Sequence, residues 1–260
     1  MKRPGLWTRL PGAYARRMAR WFGRRPFALP DGYPIITFTF DDFPRSALLT
    51  GGTFLEQMGV AGTYFISYGL EGKMTPTGEI FRTDDLTRLL AHGHELACHT
   101  FHHHPAWETV PSEYESSVTQ NASALAAVLR LRPLQTHSYP ISYPRPATKR
   151  RLQRRFRACR GGGQTFNHGT VDLNYLNSFF LEQSRDDFGA VERLIAANAD
   201  AGGWLVFSTH DISENPTRFG CQPAFFEEVL RASIRSGAKI LVMSAALDAV
   251  GVRPLAVNSL

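Results

Sequence analysis

Residues 34–44 read Pro34-Ile35-Ile36-Thr37-Phe38-Thr39-Phe40-Asp41-Asp42-Phe43-Pro44, an apolar run that stops abruptly in two adjacent carboxylates. Its apolar part, Ile35 to Phe40, reads as a strand. Within a strand, neighbouring side chains point to opposite faces, so two consecutive aspartates share a site only where the strand ends and the chain turns. Strand C-terminal ends are where parallel α/β proteins assemble their functional groups. The competing reading is that one Asp caps the next helix while the other is solvated.

Outward from that run, apolar segments over 62–66, 95–99, 136–139, 176–181, 204–208 and 239–243 read as further strands. Helical periodicity falls between them, near 46–58, 83–91, 111–130, 147–157, 187–200 and 222–236. Seven strands alternating with six helices imply a parallel sheet with right-handed crossovers, an open sheet or a barrel. Two more strands end in chemistry. Residues 92–104 hold six of the nine histidines, and Trp204-Leu205-Val206-Phe207-Ser208 runs into Thr209-His210-Asp211. His99 and His103 have the four-residue spacing that brings side chains to one side of a helical turn, although a solvated histidine patch is the plainer reading. Three strands ending in Asp-Asp, His-rich and His-Asp sequence favour a barrel with these ends meeting at one mouth.

Composition places the chain among globular proteins: 260 residues, 43% hydrophobic and 20% charged, which excludes disorder, collagen and coiled coil. One domain is expected at this length. The net charge of +6 is unevenly spread, because eight basic and no acidic residues fall in the first 30, leaving 21 basic against 23 acidic in the rest. The division expected is therefore a basic arm over 1–30 and a catalytic domain over 31–260. Trp7, Leu10, Tyr14, Met18 and Trp21 recur in that arm every three or four residues with arginines between them, a basic amphipathic helix expected to start after Pro11-Gly12. Two readings stay open. Residues 1–25 lie on an anionic membrane surface, or the helix packs on the domain. A nucleic-acid partner is not expected, because the charge sits in stripes without stacking aromatics. Cys98, Cys159 and Cys221 are too few and too widely spaced for a disulfide framework or zinc ribbon. With no run of roughly 18 apolar residues and no secretory apolar region, the location expected is cytoplasmic, peripheral at the inner membrane face if the arm binds lipid.

Taken together, these residues resemble the polysaccharide deacetylases of the NodB-homology type, carbohydrate esterase family 4, from about residue 34 to about residue 250. Thr39-Phe40-Asp41-Asp42 is similar to the family's first motif, His99-Thr100-Phe101-His102-His103 to its second, and Thr209-His210-Asp211 to its last. The resemblance implies a distorted (β/α)7 barrel with Asp41 as catalytic base, Asp42, His99 and His103 as metal ligands, and His210 as catalytic acid. His102 and His104 are not ligands in this reading. Three departures stand out. Phe43-Pro44 replaces the usual Gly after the aspartates, and Ser208 replaces an apolar residue that lines the acyl pocket. The third-motif Arg is absent from His137-Ser138-Tyr139-Pro140-Ile141-Ser142-Tyr143-Pro144-Arg145-Pro146. Arg160, in Cys159-Arg160-Gly161-Gly162, is the cation expected to orient Asp41, the alternative being that it belongs to a solvated basic run over 145–160. That run is also a conceivable holder of an anionic lipid or diphosphate.

One Asp and two His give the ligand count of catalytic zinc, and iron, cobalt or nickel suit the same donors. The activity implied is removal of an N-acetyl group from an amino sugar in a polysaccharide or lipid-linked glycan precursor. Metal-bound water attacks, Asp41 takes its proton, His210 protonates the amine, and a backbone N–H from the Tyr139 to Tyr143 loop, whose tyrosines bind substrate, supports the oxyanion. Asp211 is expected to be structural. The other class of function consistent with the sequence is a non-catalytic relative that binds carbohydrate or membrane.

Overall fold

The apolar run ahead of the paired aspartates forms strand β1, Ile35–Phe40, and all six of its residues are buried. The structure is a computed structural model describing residues 6–32, 34–129, 133–141 and 143–255, with the backbone alone for 6–11. Next to β1 in the main sheet come β2 (Thr63–Ile66), β3 (Glu95–Cys98), β4 (Thr136–Ser138) and β5 (Ala158–Arg160) on one side. On the other lie β7 (Trp204–Thr209) and, outside it, β6 (Phe179–Phe180), while β8 (Lys239–Ile240) pairs with the start of β1. Every ladder in this sheet is parallel. A bridge between Arg160 and Leu176 joins the two edges of the curl, and the result is the distorted (β/α)7 barrel.

Helices cover the outside: α2 (Thr53–Gln57), α3 (Thr83–Ala91), α4 (Pro111–Val128), α5 (Pro146–Leu152), α6 (Phe188–Asp200), α7 (Pro223–Arg235) and α8 (Met243–Ala249). Proline occupies the first turn of α4, α5 and α7, where its missing N–H costs nothing. Phe38, Phe40, Tyr64, Phe207 and Phe226 fill the space between β1 and α7, with Phe40 stacked on Tyr64 at 4.6 Å. All three cysteines are buried and free. No helix among the described residues is long and apolar enough to cross a membrane.

Several elements differ from the sequence reading. The helix near 46–58 is a π-helical turn, Ala47–Gly52, leading into a short α2, because Gly51 and Gly52 pass close beneath Phe40 and Tyr64. The strand read over 239–243 stops at Ile240, since Met243 starts α8 with its N–H donated to Thr63 Oγ1 at 2.9 Å. The strand over 176–181 shrinks to Phe179–Phe180. β5 was not foreseen: three residues are too few to show a period, and the basic helix expected over 147–157 ends at Leu152.

The arm also differs. Helix α1, Leu6–Trp21, runs through Pro11 and Gly12 rather than starting after them. One proline removes one backbone hydrogen bond, and packing further along the helix holds it, through buried Ala15 and Ala19. Of the expected apolar stripe, Trp7 and Leu10 lie outside the described side chains, Met18 is half-buried, and Tyr14 and Trp21 are 59% and 69% exposed. Small residues, offset by one position from the aromatic stripe, make the docking face. The chain enters the domain before residue 30, because Pro26–Ala28 pairs antiparallel with Thr170–Asp172.

Candidate active site

The C-terminal ends of β1, β3, β5 and β7 open on one cleft of about 1010 Å³. Asp41 continues β1 by one residue, its N–H donating to Thr209 O at 2.9 Å. The backbone then turns through two left-handed residues, Asp42 (φ 62°) and Phe43 (φ 58°). This turn lets both carboxylates face the cleft. Phe43 stands where glycine would be easiest, and its ring is fully buried between Tyr64 and Phe81 at 4.9 and 5.1 Å. Aromatic packing thus compensates the missing glycine.

The two carboxylates have opposite surroundings. Asp41 is saturated: Arg160 Nη2 donates to its Oδ1 and Ser208 Oγ to its Oδ2 at 3.2 Å. Burial works to raise its pKa, but Arg160 foremost, then His99 and His210, outweigh burial and hold it at about 2. Asp42 accepts from Thr77 Oγ1 at 3.2 Å on Oδ2, and its buried Oδ1 has no hydrogen-bond partner. That orphaned oxygen lies 3.0 Å from His103 Nε2 and 3.5 Å from His99 Nε2. Burial opposes ionisation of Asp42, yet the two histidines bring its pKa well below the usual carboxylate range.

His99 ends β3 and donates from Nδ1 to Ser138 O at 2.9 Å, which leaves Nε2 bare toward Asp42. Burial lowers its pKa to about 4, so it is neutral at pH 7. His103 does not reach the site along a helical turn: residues 100–104 form an irregular loop with left-handed Thr100 and His103. Burial pulls the His103 pKa down, and the Asp42 carboxylate more than restores it. Ligand atoms of Asp42, His99 and His103 all lie within 4.8 Å of one another, and among the described residues no other group could hold a metal. A buried carboxylate oxygen without a partner, a neutral imidazole fixed through its far nitrogen and a second imidazole beside it fit a divalent cation. His102 lines the cleft outside this set, and His104 does not line it.

Arg160 is buried at 1% exposure at the end of β5. Ser138 Oγ and Ser178 Oγ accept from it at 2.6 and 2.9 Å, and its guanidinium lies over the Phe65 ring at 5.0 Å. It is therefore no part of a solvated run, and neither are buried Lys149 and Arg157. Ser208, unusual by sequence, completes the cage around Asp41.

His210 faces these groups from the end of β7, half-buried, with Nδ1 donating to Phe219 O at 3.2 Å. Nε2 is left for the cleft. Asp211 is committed elsewhere, to the N–H and Oγ1 of Thr217 at 2.8 and 2.6 Å. Tyr139 and Tyr143 both line the cleft. The Tyr139 N–H is spent on Arg160 O at 3.0 Å, so it is not the oxyanion donor expected, and its hydroxyl bonds Asn174 O. Tyr143 stacks on Tyr175 at 6.3 Å; Ser142 lies outside the described residues.

The sequence reading missed Glu182. It lines the cleft with one buried, unpartnered oxygen, and burial pushes its pKa up to about 7. Its signal was the one used for Asp41 and His210, an acid directly after an apolar run, in Phe179-Phe180-Leu181-Glu182.

An α/β barrel whose strand ends bring Asp41, Asp42, His99, His103 and His210 to one cleft is the class that fold and site define. The sequence model of the polysaccharide deacetylase family matches residues 29–158, half of the chain, and the chain belongs to that family of hydrolases acting on carbon–nitrogen bonds in glycans. Its members are metal-dependent. The fold is shared with the Xyl-CE4 domain of a multidomain xylanase from the hindgut metagenome of Trinervitermes trinervoides, at 15% identity over 86% of this chain and 95% of that one, with a TM-score of 0.57. A family 4 acetyl xylan esterase from Clostridium thermocellum, in complex with a cobalt ion, is similar at 15% identity over 84% and 93%, TM-score 0.57. So is a CE4 family pseudoenzyme from Bacillus anthracis, at 10% identity over 84% and 67%, TM-score 0.57. No curated protein matches the chain.

Proposed function

We propose that this protein removes N-acetyl groups from an amino sugar in a polysaccharide or lipid-linked glycan precursor, as in exopolysaccharide biosynthesis. Asp41 is the base, His210 the acid, and Asp42, His99 and His103 hold a divalent cation, zinc first. The carrying observation is the inequality of the aspartates: the Asp41 oxygens are satisfied by Arg160 and Ser208, whereas Asp42 keeps a buried oxygen free beside two histidines.

A cation bound there polarises the amide carbonyl and lowers the pKa of water from 15.7 towards about 7. Every other step falls to the chain. Asp41, fixed by Arg160 and Ser208, takes the proton of the attacking water. His210, its ring held by the Phe219 carbonyl, gives a proton to the departing amine, without which that amine is a poor leaving group. Tyr143 borders the substrate. A cleft of about 1010 Å³ accommodates several sugar units rather than a lone acyl group.

A binding module has no use for a caged base opposite an acid, and this argues against the non-catalytic reading. Tyr14, Trp21 and Phe22, exposed beside the arginines of α1, support a location at the cytoplasmic face of an anionic membrane. The test is acetate and free-amine release from N-acetylated oligosaccharides by protein stripped of metal and then reloaded. Release that disappears on stripping and returns with zinc is expected; release indifferent to metal would discard the mechanism.

A further inference from the structure

Helix α1 forms part of the wall of the cleft. Arg16 and Arg20 line it together with Asp41, Asp42 and His210. Arg20 and Arg24 line a second cavity of about 370 Å³, bordered by Trp21, Phe166 and His168. Arg20 and Tyr175 belong to both, so the two spaces are neighbours. Arg16 and Arg20 lie four residues apart on α1, a rise of about 6 Å along one side, and Arg24 follows beyond the helix end, after the left-handed Gly23.

None of the three has a carboxylate within 4.0 Å among the described residues. Asp172, which borders the second cavity with Arg20 and Arg24, is committed: it accepts from Lys149 Nζ at 2.6 Å and from Arg25 N at 2.8 Å. In the cleft, Asp41 is paired with Arg160, Asp42 faces the histidines, and Glu182, whose pKa burial raises to about 7, makes no ion pair among the described residues. Like charges four residues apart on a helix repel, so the Arg16 and Arg20 pair is unfavourable until an anion arrives. The helix cannot swing away to relieve it. Lys149 Nζ donates to Ala19 O at 2.6 Å, Asn174 Nδ2 donates to Gly23 O at 2.9 Å, and Ala15 and Ala19 are buried. Gly23, at φ 62°, lies so close to the first turn of α5 that a Cβ would meet Pro146 O at 2.8 Å.

We infer that Arg16, Arg20 and Arg24 form a subsite for an anionic glycan, so that the substrate carries carboxylate or phosphate groups next to the sugar whose acyl group is removed. The inference rests on the cleft being the deacetylation site. Arg16 and Arg20 line the cleft that holds Asp41, Asp42 and His210, and the planar guanidinium matches either oxyanion in a paired fashion. Trp21 and Phe166 are aromatic members of the second cavity's wall. The arginines border these two cavities, and that favours a glycan over a lipid headgroup as occupant.

The test measures binding to the metal-free full-length protein at low and high salt. Chitotetraose is the neutral probe. A hyaluronan tetrasaccharide carries a carboxylate on every second sugar, and UDP-N-acetylglucosamine carries a diphosphate. At least one anionic probe binds about tenfold tighter than chitotetraose, the scale of one charge-assisted contact, and high salt erodes the difference. Which probe wins identifies carboxylate or phosphate as the source. The double variant Arg16→Ala/Arg20→Ala loses the preference, and Arg20→Glu, an exposed substitution, turns it against anions. Equal affinity for neutral and anionic probes, or a preference that survives both variants, would overturn the subsite. So would vesicles of phosphatidylglycerol that bind through Arg16 and Arg20 while the probes show no preference. Acetate release from chitotetraose by the zinc-loaded protein reads the deacetylase proposal separately, since that substrate needs no anionic contact.

Discussion

The floor and the wall of the cleft are built on opposite principles. On the floor the reacting groups are paired or face a ligand set: Arg160 with Asp41, Asp42 with His99 and His103. On the wall Arg16, Arg20 and Arg218 are exposed and lack carboxylates among the described residues. A buried charge stripped of its partner costs several kcal/mol, whereas an exposed one costs almost nothing. The floor therefore tolerates one arrangement and fixes the chemistry, while the wall is free to be set by the substrate.

That contrast can be broken by substitution. On the floor, His210→Ala slows turnover by about 10²–10⁴-fold with metal content unchanged; an unaltered rate would remove His210 from the mechanism. Arg160→Met leaves Asp41 buried and unpaired, so urea unfolding of the metal-free protein should show a loss of about 3–5 kcal/mol. Arg20→Met on the wall should stay within about 0.5 kcal/mol. Equal costs at the two positions would erase the distinction.

Glu182 sharpens the contrast by pH. Its folded pKa, about 7 through burial, lies above the ordinary Glu value of about 4.3. The folded state thus holds the proton more tightly, and this contribution is full below about pH 4 and is lost as pH rises through about 7. Relative to Glu182→Gln, the native chain should lose on the order of 1–3 kcal/mol between pH 4 and pH 8. A difference that does not change with pH would show that Glu182 ionises freely.

Strands carrying the site were legible because long apolar runs ending in ionisable residues need only one-dimensional pattern; β1 was read to the residue and α3, Thr83–Ala91, likewise. What escaped depends on three dimensions. β5 is a three-residue strand whose importance lies in delivering Arg160 to Asp41 across 119 positions. The left-handed turns at Asp42, Phe43, Thr100 and His103 carry no glycine to announce them. The convergence of His99 and His103 was read from helical spacing, and a loop produces it instead. In α1 the aromatic stripe was the visible pattern, yet docking uses Ala15 and Ala19, because small side chains allow close approach and register little in a hydrophobic period.

The central claim is that two adjacent aspartates divide the work, Asp41 moving the proton and Asp42 holding the cation. Metal content and acetate release measured side by side in Asp41→Asn and Asp42→Asn test it most directly. The account predicts about one divalent metal per chain and lost turnover in Asp41→Asn, against loss of both in Asp42→Asn. An Asp41→Asn protein that still releases acetate at the native rate, or an Asp42→Asn protein that keeps its full metal, would contradict it.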